Sequence, residues 1–191
     1  MTDLKKYACK RAYLNKNLIA NIKADSEFLG ESTFTDYVLS PENTDKNLKW
    51  VRHIQKNNWP NMKIGKYYPF FKKDITWKKA FQIFRMPVGS PFIECNSLDE
   101  ARKHLSNLEI QFSFERTGLE YKQNDLFIYI EDVENIPLTI EVVCKDENNN
   151  LANNMKKVEL FLEKYNIKEY IPHQVATLVK NNIKTPTSQK Q

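Results

Sequence analysis

The stretch that most constrains the fold is residues 126–143, LFIYIEDVENIPLTIEVV, in which two alternating apolar runs flank a short acidic turn. This pattern predicts a β-hairpin whose connection lies at residues 132–137. Alternate residues of a strand face the same side, so residues of one parity, including Glu141, share a face. That face can hold carboxylates inside a barrel. The same pattern also fits a half-buried sheet whose charged residues face water.

Three segments have the spacing of amphipathic helices. In residues 97–108, SLDEARKHLSNL, Ser97 is the predicted N-cap and Glu100 is its capping-box partner. Two more helices are predicted over residues 155–165 and 173–182. Much of the remaining sequence alternates, while residues 57–73 are expected to form an unusually long connection. The chain is therefore predicted to be an α+β protein.

Composition fits one globular domain over residues 1–184, followed by a polar, disordered tail at residues 185–191. Hydrophobic residues make up 41% of the 191 residues, but no apolar run of about 18 residues occurs. We therefore expect a cytoplasmic protein without a membrane partner. Cys9, Cys95 and Cys144 are too scattered for a disulfide framework or a zinc site, so buried, reduced thiols are expected.

Positive charge is concentrated in the middle of the chain, within a formal net charge of +5. Residues 46–80 contain a single acidic residue, Asp74, against the following ten basic residues: Lys46, Lys49, Arg52, Lys56, Lys63, Lys66, Lys72, Lys73, Lys78 and Lys79. Tryptophan, tyrosine and phenylalanine residues are interleaved with them. Such a stretch fits a solvated basic face, a cation-lined tunnel for triphosphate, or a surface for nucleic-acid phosphates.

The order of these elements resembles the CYTH domain, and in particular its class IV adenylyl cyclases and triphosphate tunnel metalloenzymes. The late signature of that family is similar to residues 130–137, IEDVENIP, and residues 140–143, IEVV. The spacing from the first acidic residue to Glu141 fits, and Tyr121 stands where the family has a tyrosine. Pro137 replaces a glycine, and Val143 replaces a second glutamate. The first-strand Glu-x-Glu-x-Lys corresponds to residues 7–13, YACKRAY, which contain no acidic residue.

The resemblance implies an antiparallel β-barrel, or tunnel, with helices packed outside. It also implies a protein that hydrolyses or cyclises a nucleotide or another small triphosphate with Mg²⁺ or Mn²⁺. The implied phosphate-binding residues are Lys10, Arg52, Lys78, Arg85 and Arg116. The implied metal ligands are Glu94, Glu131 and Glu141.

Two alternative functions remain open. The missing first-strand glutamates fit a catalytically inactive CYTH fold that binds a nucleotide or polyphosphate. The basic and aromatic residues 49–79 fit an adaptor for nucleic acid or protein, because aromatic side chains can stack on bases while lysines neutralise phosphates.

Overall fold

The computed structural model describes residues 4–39, 48–57, 62–78, 81–87, 93–144 and 150–184, with side chains described outside 4–7, 72–78, 81–87 and 184. Eight strands are formed by these residues: β1 (Leu4–Tyr13), β2 (Glu27–Val38), β3 (Leu48–Lys56), β4 (Tyr67–Lys78), β5 (Phe81–Pro87), β6 (Phe112–Gln123), β7 (Leu126–Val133) and β8 (Thr139–Cys144). The helices are α1 (Ile19–Ala24), α2 (Leu98–Lys103), α3 (Leu151–Lys164) and α4 (Val175–Lys184), with a 3₁₀ turn at Lys16–Leu18 before α1. The predicted tail at residues 185–191 lies outside the described residues.

The strands form one antiparallel sheet in the order β1-β5-β4-β3-β2-β6-β7-β8, and β8 pairs with β1 to close the ring. This architecture confirms the predicted α+β class and the mostly antiparallel, curled sheet. The predicted hairpin is β7 and β8, with Ile130 opposite Ile140. Asn135 adopts a φ of 61° in the connection, a left-handed conformation that asparagine tolerates better than most residues.

Alternate side chains of the strands face the outside and the inside of the barrel, and each side packs its own apolar residues. Ile128, Ile140 and Val142 face outward, where they pack against Val158 and Phe161 of α3. A second outer cluster brings Val51 and Cys95 together with Ala101 of α2. These two helices lie outside the barrel, as predicted.

The inward residues form a third cluster, which includes Phe34, Trp50 and Val143. Val175 and Val179 of α4 belong to the same cluster. These residues place α4 against the inner side of the sheet. The position of α4 therefore differs from the prediction that the helices pack outside.

The boundaries of α2 differ from those predicted from apolar periodicity, because local backbone geometry determines where the helix ends. The Ser97 hydroxyl accepts a hydrogen bond from the Glu100 amide at 3.2 Å, which confirms the predicted N-cap. The Glu100 carboxylate accepts from the Asn96 amide at 2.7 Å rather than from the Ser97 amide. The helix ends at Lys103, not at residue 108, because the chain turns through positive φ angles of 67° and 51° at Ser106 and Asn107.

Other element boundaries differ from the predictions in the same way. Asn150 accepts from the Asn153 amide and starts α3 four residues earlier than periodicity indicated. The prediction of a connection through residue 73 was wrong, because β4 begins at Tyr67, where it pairs with His53. All three cysteines are free and buried, as expected. Among the described residues, no helix has the length and apolar composition needed to cross a membrane.

We expect replacement of Ile128 by alanine to lower the free energy of unfolding by about 2 to 5 kcal/mol, because the fully buried side chain would leave a cavity beneath α3. The matched control is Ile64→Ala, since the Ile64 side chain is 62% exposed. Urea unfolding followed by circular dichroism measures both. Equal losses in the two variants would contradict the assignment of Ile128 to the core.

Candidate site in the barrel interior

The barrel interior contains a continuous chain of oppositely charged side chains, in the order Arg52, Asp36, Arg116, Glu131, Arg11 and Glu141, which we call the ion-pair chain. Each residue comes from a different strand. These strands are β3, β2, β6, β7, β1 and β8, which are consecutive neighbours around the ring apart from the exchanged order of the last two. Strand pairing therefore brings the six groups together from distant parts of the sequence.

The contacts are those of charge-assisted hydrogen bonds. Arg52 binds Asp36 through two nitrogens, Nε to Oδ1 at 2.8 Å and Nη2 to Oδ2 at 3.0 Å. Arg116 bridges two carboxylates, with Nη2 3.4 Å from Asp36 Oδ2 and Nη1 2.8 Å from Glu131 Oε1. The two-nitrogen contact with Asp36 fixes the plane of the Arg52 guanidinium group, and Arg116 is held between two carboxylates.

Arg11 makes both of its contacts in the ion-pair chain through one nitrogen. Its Nη2 atom lies 2.5 Å from Glu141 Oε2 and 3.3 Å from Glu131 Oε2. Its Nε and Nη1 atoms, and the Nε of Arg116, are buried and have no hydrogen-bond partner among the described residues. Buried donors without an acceptor are costly, so these atoms mark where a ligand with acceptor oxygens would be stabilised.

Burial changes the proton affinities of these groups. Burial lowers the pKa of Arg52, although the Asp36 carboxylate opposes that shift. For Arg11, burial also acts to lower the pKa, but the carboxylates of Glu141 and Glu131 outweigh it and leave the pKa above its ordinary value. Burial, reinforced by the Glu120 carboxylate, raises the pKa of Tyr129, so its hydroxyl stays protonated at neutral pH.

Aromatic side chains complete the surroundings of the arginines. The Phe34 ring centre lies 4.2 Å from the guanidinium carbon of Arg52 and 4.9 Å from that of Arg116. Phe70 approaches Arg52 at 5.3 Å. Such rings attract cations and exclude water, which strengthens every charge contact nearby.

The structure brings together four of the predicted site residues and separates others from them. Arg52, Arg116, Glu131 and Glu141 all belong to the ion-pair chain. Lys78 and Arg85 lie in β4 and β5, and their side chains are outside the described part of the chain, so their roles stay predictions.

Lys10 does not join the predicted phosphate-binding residues. Its ammonium lies 3.6 Å from the centre of the Tyr170 ring, on the outer side of β1, because alternation turns its neighbour Arg11 inward. Burial lowers the pKa of Lys10. Glu94 is likewise separate from the predicted metal ligands. It pairs with Lys63 at 3.0 Å, and hydrogen bonding to that ammonium holds the pKa of the Glu94 carboxyl below its usual value.

Two members of the ion-pair chain, Arg11 and Asp36, were not among the predicted site residues. For Arg11, the available signal was the parity that it shares with Cys9 and Tyr13, which form an inward series with it. Asp36 alternates with the apolar residues Phe34 and Val38, so it stood at an inward position of a predicted strand. An acidic residue at such a position needs a cationic partner, which is a recognisable sequence signal.

The described residues do not fit a preformed site for Mg²⁺ or Mn²⁺, which prefer several oxygen ligands. They include no group of three acidic, histidine or cysteine side chains placed to hold a metal ion. Glu131 and Glu141 both contact Arg11. Cys9 lies opposite Val143 in the register, and both residues belong to the apolar inner cluster. The last-strand position where the resemblance implies a second glutamate, Val143, is therefore part of the core.

Comparisons with known proteins give a fold but no family. No family model matches the chain. No curated protein matches it either. Among solved structures, a protein from Pyrococcus horikoshii is similar, with a TM-score of 0.72 and 16% identity over 90% of this chain and 98% of that one.

Two further structures show the same likeness. A putative adenylate cyclase from Vibrio parahaemolyticus has a TM-score of 0.66 and 13% identity, over 93% of this chain and 99% of that one. A chain of the Schizosaccharomyces pombe Mediator head module has a TM-score of 0.57 and 11% identity, over 87% of this chain and 98% of that one. At these identities the comparisons show a shared fold, consistent with the CYTH-like fold that the sequence suggested.

Replacing Asp36 by asparagine should lower the free energy of unfolding by about 3 to 5 kcal/mol, because it leaves two buried guanidinium groups short of a negative partner. The matched control is Glu31→Gln on the same strand. Glu31 pairs with Lys56 at the surface, where an ion pair contributes at most about 1 kcal/mol. Chemical denaturation of both variants is the measurement. A loss in Asp36→Asn no greater than in the control would refute a structural role for the ion-pair chain.

Proposed function

We propose that this protein binds a phosphate-containing ligand, a nucleotide or polyphosphate, in the barrel interior and does not turn it over. The observation that carries the proposal is the convergence of the buried Arg11 and Arg52 with the half-buried Arg116, because Arg11 and Arg116 have buried N–H donors with no partner among the described residues. Guanidinium groups match phosphate oxygens in charge and in hydrogen-bond geometry. Carboxylates hold the remaining donors and keep the arginines oriented before a ligand binds.

The balance of charges in the ion-pair chain determines which further groups a bound polyphosphate would need. Within the ion-pair chain, three arginines face three carboxylates, so the described cluster has no positive excess. A polyphosphate would add acceptors at the unpartnered donors and would need further cations to offset its charge. Lys78 and Arg85, which the resemblance implies as phosphate-binding residues, would supply that charge from β4 and β5. Their contribution is part of the proposal.

The proposal that the ligand is not turned over is based on the chemistry of the described side chains. Hydrolysis or cyclisation of a triphosphate develops negative charge on the transferred and leaving oxygens, which metal ions usually stabilise. Here the second glutamate of the late signature is replaced by Val143, which packs in the apolar core, and the first-strand stretch 7–13 contains no acidic residue. The alternative proposal, hydrolysis or cyclisation with Mg²⁺ or Mn²⁺, would have to hold the metal ion through Glu131 or Glu141 together with the phosphates of the substrate, because the described residues contain no group of three metal-ligating side chains.

Titration calorimetry with tripolyphosphate and ATP tests binding, with Arg11→Lys as the informative variant. Lysine keeps a positive charge beside Glu131 and Glu141 but removes the Nε and Nη1 donors, so we expect affinity to fall about tenfold. The control is Lys10→Met, one residue away on the outer side of the strand, which should bind like the wild type. No heat from wild-type protein, or equal loss in both variants, would refute the proposal.

A turnover assay tests the absence of catalysis. Phosphate and cyclic nucleotide are measured after incubation of ATP or tripolyphosphate with Mg²⁺ or Mn²⁺, and we expect neither product above the rate without protein. The comparison variant is Glu141→Gln, which leaves Arg11 paired with Glu131. Turnover that this substitution abolishes would replace the binding proposal with the enzymatic one.

A further inference from the structure

The inner wall of the barrel continues beyond the ion-pair chain as a row of facing polar side chains. Strand pairing places Glu141 between Arg11 and Tyr129, directly opposite each of them. Tyr129 in turn lies opposite Glu120 of β6, and its hydroxyl donates a hydrogen bond to the Glu120 carboxylate. Tyr129 also packs against the inner apolar cluster. Glu120 therefore lies on the inner wall, at the other end of the row from Arg11.

Glu120 is a buried carboxylate, with 8% of the residue exposed. A carboxylate has about four acceptor positions, and the Tyr129 hydroxyl uses one of them. Burying an ionised carboxylate is costly unless hydrogen-bond donors surround it. A ligand that brings hydroxyl donors to Glu120 would therefore be stabilised there.

Small residues line the wall between Glu120 and the ion-pair chain. Gly118 stands between Arg116 and Glu120 in the inward series of β6. Directly opposite Gly118 lies Ser32 of β2, which is buried. A β-carbon added at Gly118 would lie 3.5 Å from Ser32 Oγ and 3.9 Å from the Ile130 carbonyl oxygen, both ordinary contact distances. The wall therefore has room for additional atoms at this point.

The two ends of this part of the wall present opposite charges. Arg116 and Glu120 are four residues apart on β6, or about 13 Å at 3.3 Å per residue, so their side chains can approach one ligand from two ends. A ribose 5′-phosphate has the complementary arrangement, with an anion at one end and two neighbouring hydroxyls at the other. Nucleotide-binding proteins of another fold also hold ribose hydroxyls with a carboxylate.

We propose that Glu120, oriented by Tyr129, binds the ribose hydroxyls of a nucleoside polyphosphate whose phosphates contact the arginines, with the sugar against Gly118 and Ser32. This inference rests on the proposed function and narrows its ligand from any polyphosphate to a nucleotide. Inorganic polyphosphate has no ribose hydroxyl to donate to Glu120.

Titration calorimetry with ATP, 2′,3′-dideoxy-ATP and tripolyphosphate tests this assignment. Hydrogen bonds to a charged group are strong, so wild-type protein should bind ATP about tenfold more tightly than the dideoxy analogue. Glu120→Gln keeps the size of the side chain but removes its charge, so the preference should fall to about twofold without weaker binding of tripolyphosphate. The matched control is Glu115→Gln on the exposed outer face of the same strand, which should keep the wild-type preference.

Gly118→Ala is a second variant that adds atoms where the sugar would lie. The added β-carbon meets no described protein atom closer than 3.5 Å, so we expect the variant to fold like the wild type. Overpacking against the sugar should weaken ATP binding about tenfold. Binding of tripolyphosphate should be unchanged.

Equal wild-type affinity for ATP and its dideoxy analogue would overturn the inference, and so would an unchanged preference in Glu120→Gln. An equal loss for all three ligands in Glu120→Gln would mean that Glu120 only supports the fold, which also contradicts the inference. In each case, tripolyphosphate binding that falls in Arg11→Lys would leave the proposed function intact. If wild-type protein binds neither ATP nor tripolyphosphate, both proposals fail.

Discussion

The ion-pair chain is the constraint on which the rest of the structure depends. It links side chains from six of the eight strands, and each middle member contacts two partners of opposite charge. Removing charged groups from water costs several kcal/mol per ion, and only complete pairing offsets that cost. A strand shifted by one residue would turn its charge to the outer face and leave its partners buried alone. The charges therefore favour one register of the barrel over its alternatives.

The same network divides the interior into a charged part and an apolar part. Cys9, Val143 and Trp50 belong to the same apolar cluster as Val175 and Val179 of α4. The charged residues lie two positions away on the same strands: Arg11 follows Cys9 in β1, and Glu141 precedes Val143 in β8. The apolar side chains beside the charged cluster keep water from that side of it. Low local polarity then strengthens both the ion pairs and any contact with an anionic ligand.

The inner and outer faces of β3 carry side chains of different chemistry. Arg52 points inward to Asp36, and its neighbours in the alternation, Lys49 and His53, point outward. A fold shared with other proteins does not assign an activity, so each proposal depends on the groups that this chain places on the inner face. The inner face offers guanidinium donors among buried side chains.

The sequence by itself determined the strand and helix types and the hairpin at residues 126–143, because local alternation and capping encode them. It also predicted Arg52, Arg116, Glu131 and Glu141 as site residues, and the structure brings these four side chains together in the ion-pair chain. The sequence did not determine the register of the first strand. It predicted Lys10 as a phosphate-binding residue, whereas in the structure the next residue, Arg11, faces inward. A shift of one residue decides which face of the sheet a side chain occupies. Only the tertiary structure decided that Asp36 bridges Arg52 and Arg116 and that α4 joins the inner core. Those contacts join residues far apart in the chain, and local sequence patterns carry no information about such pairings.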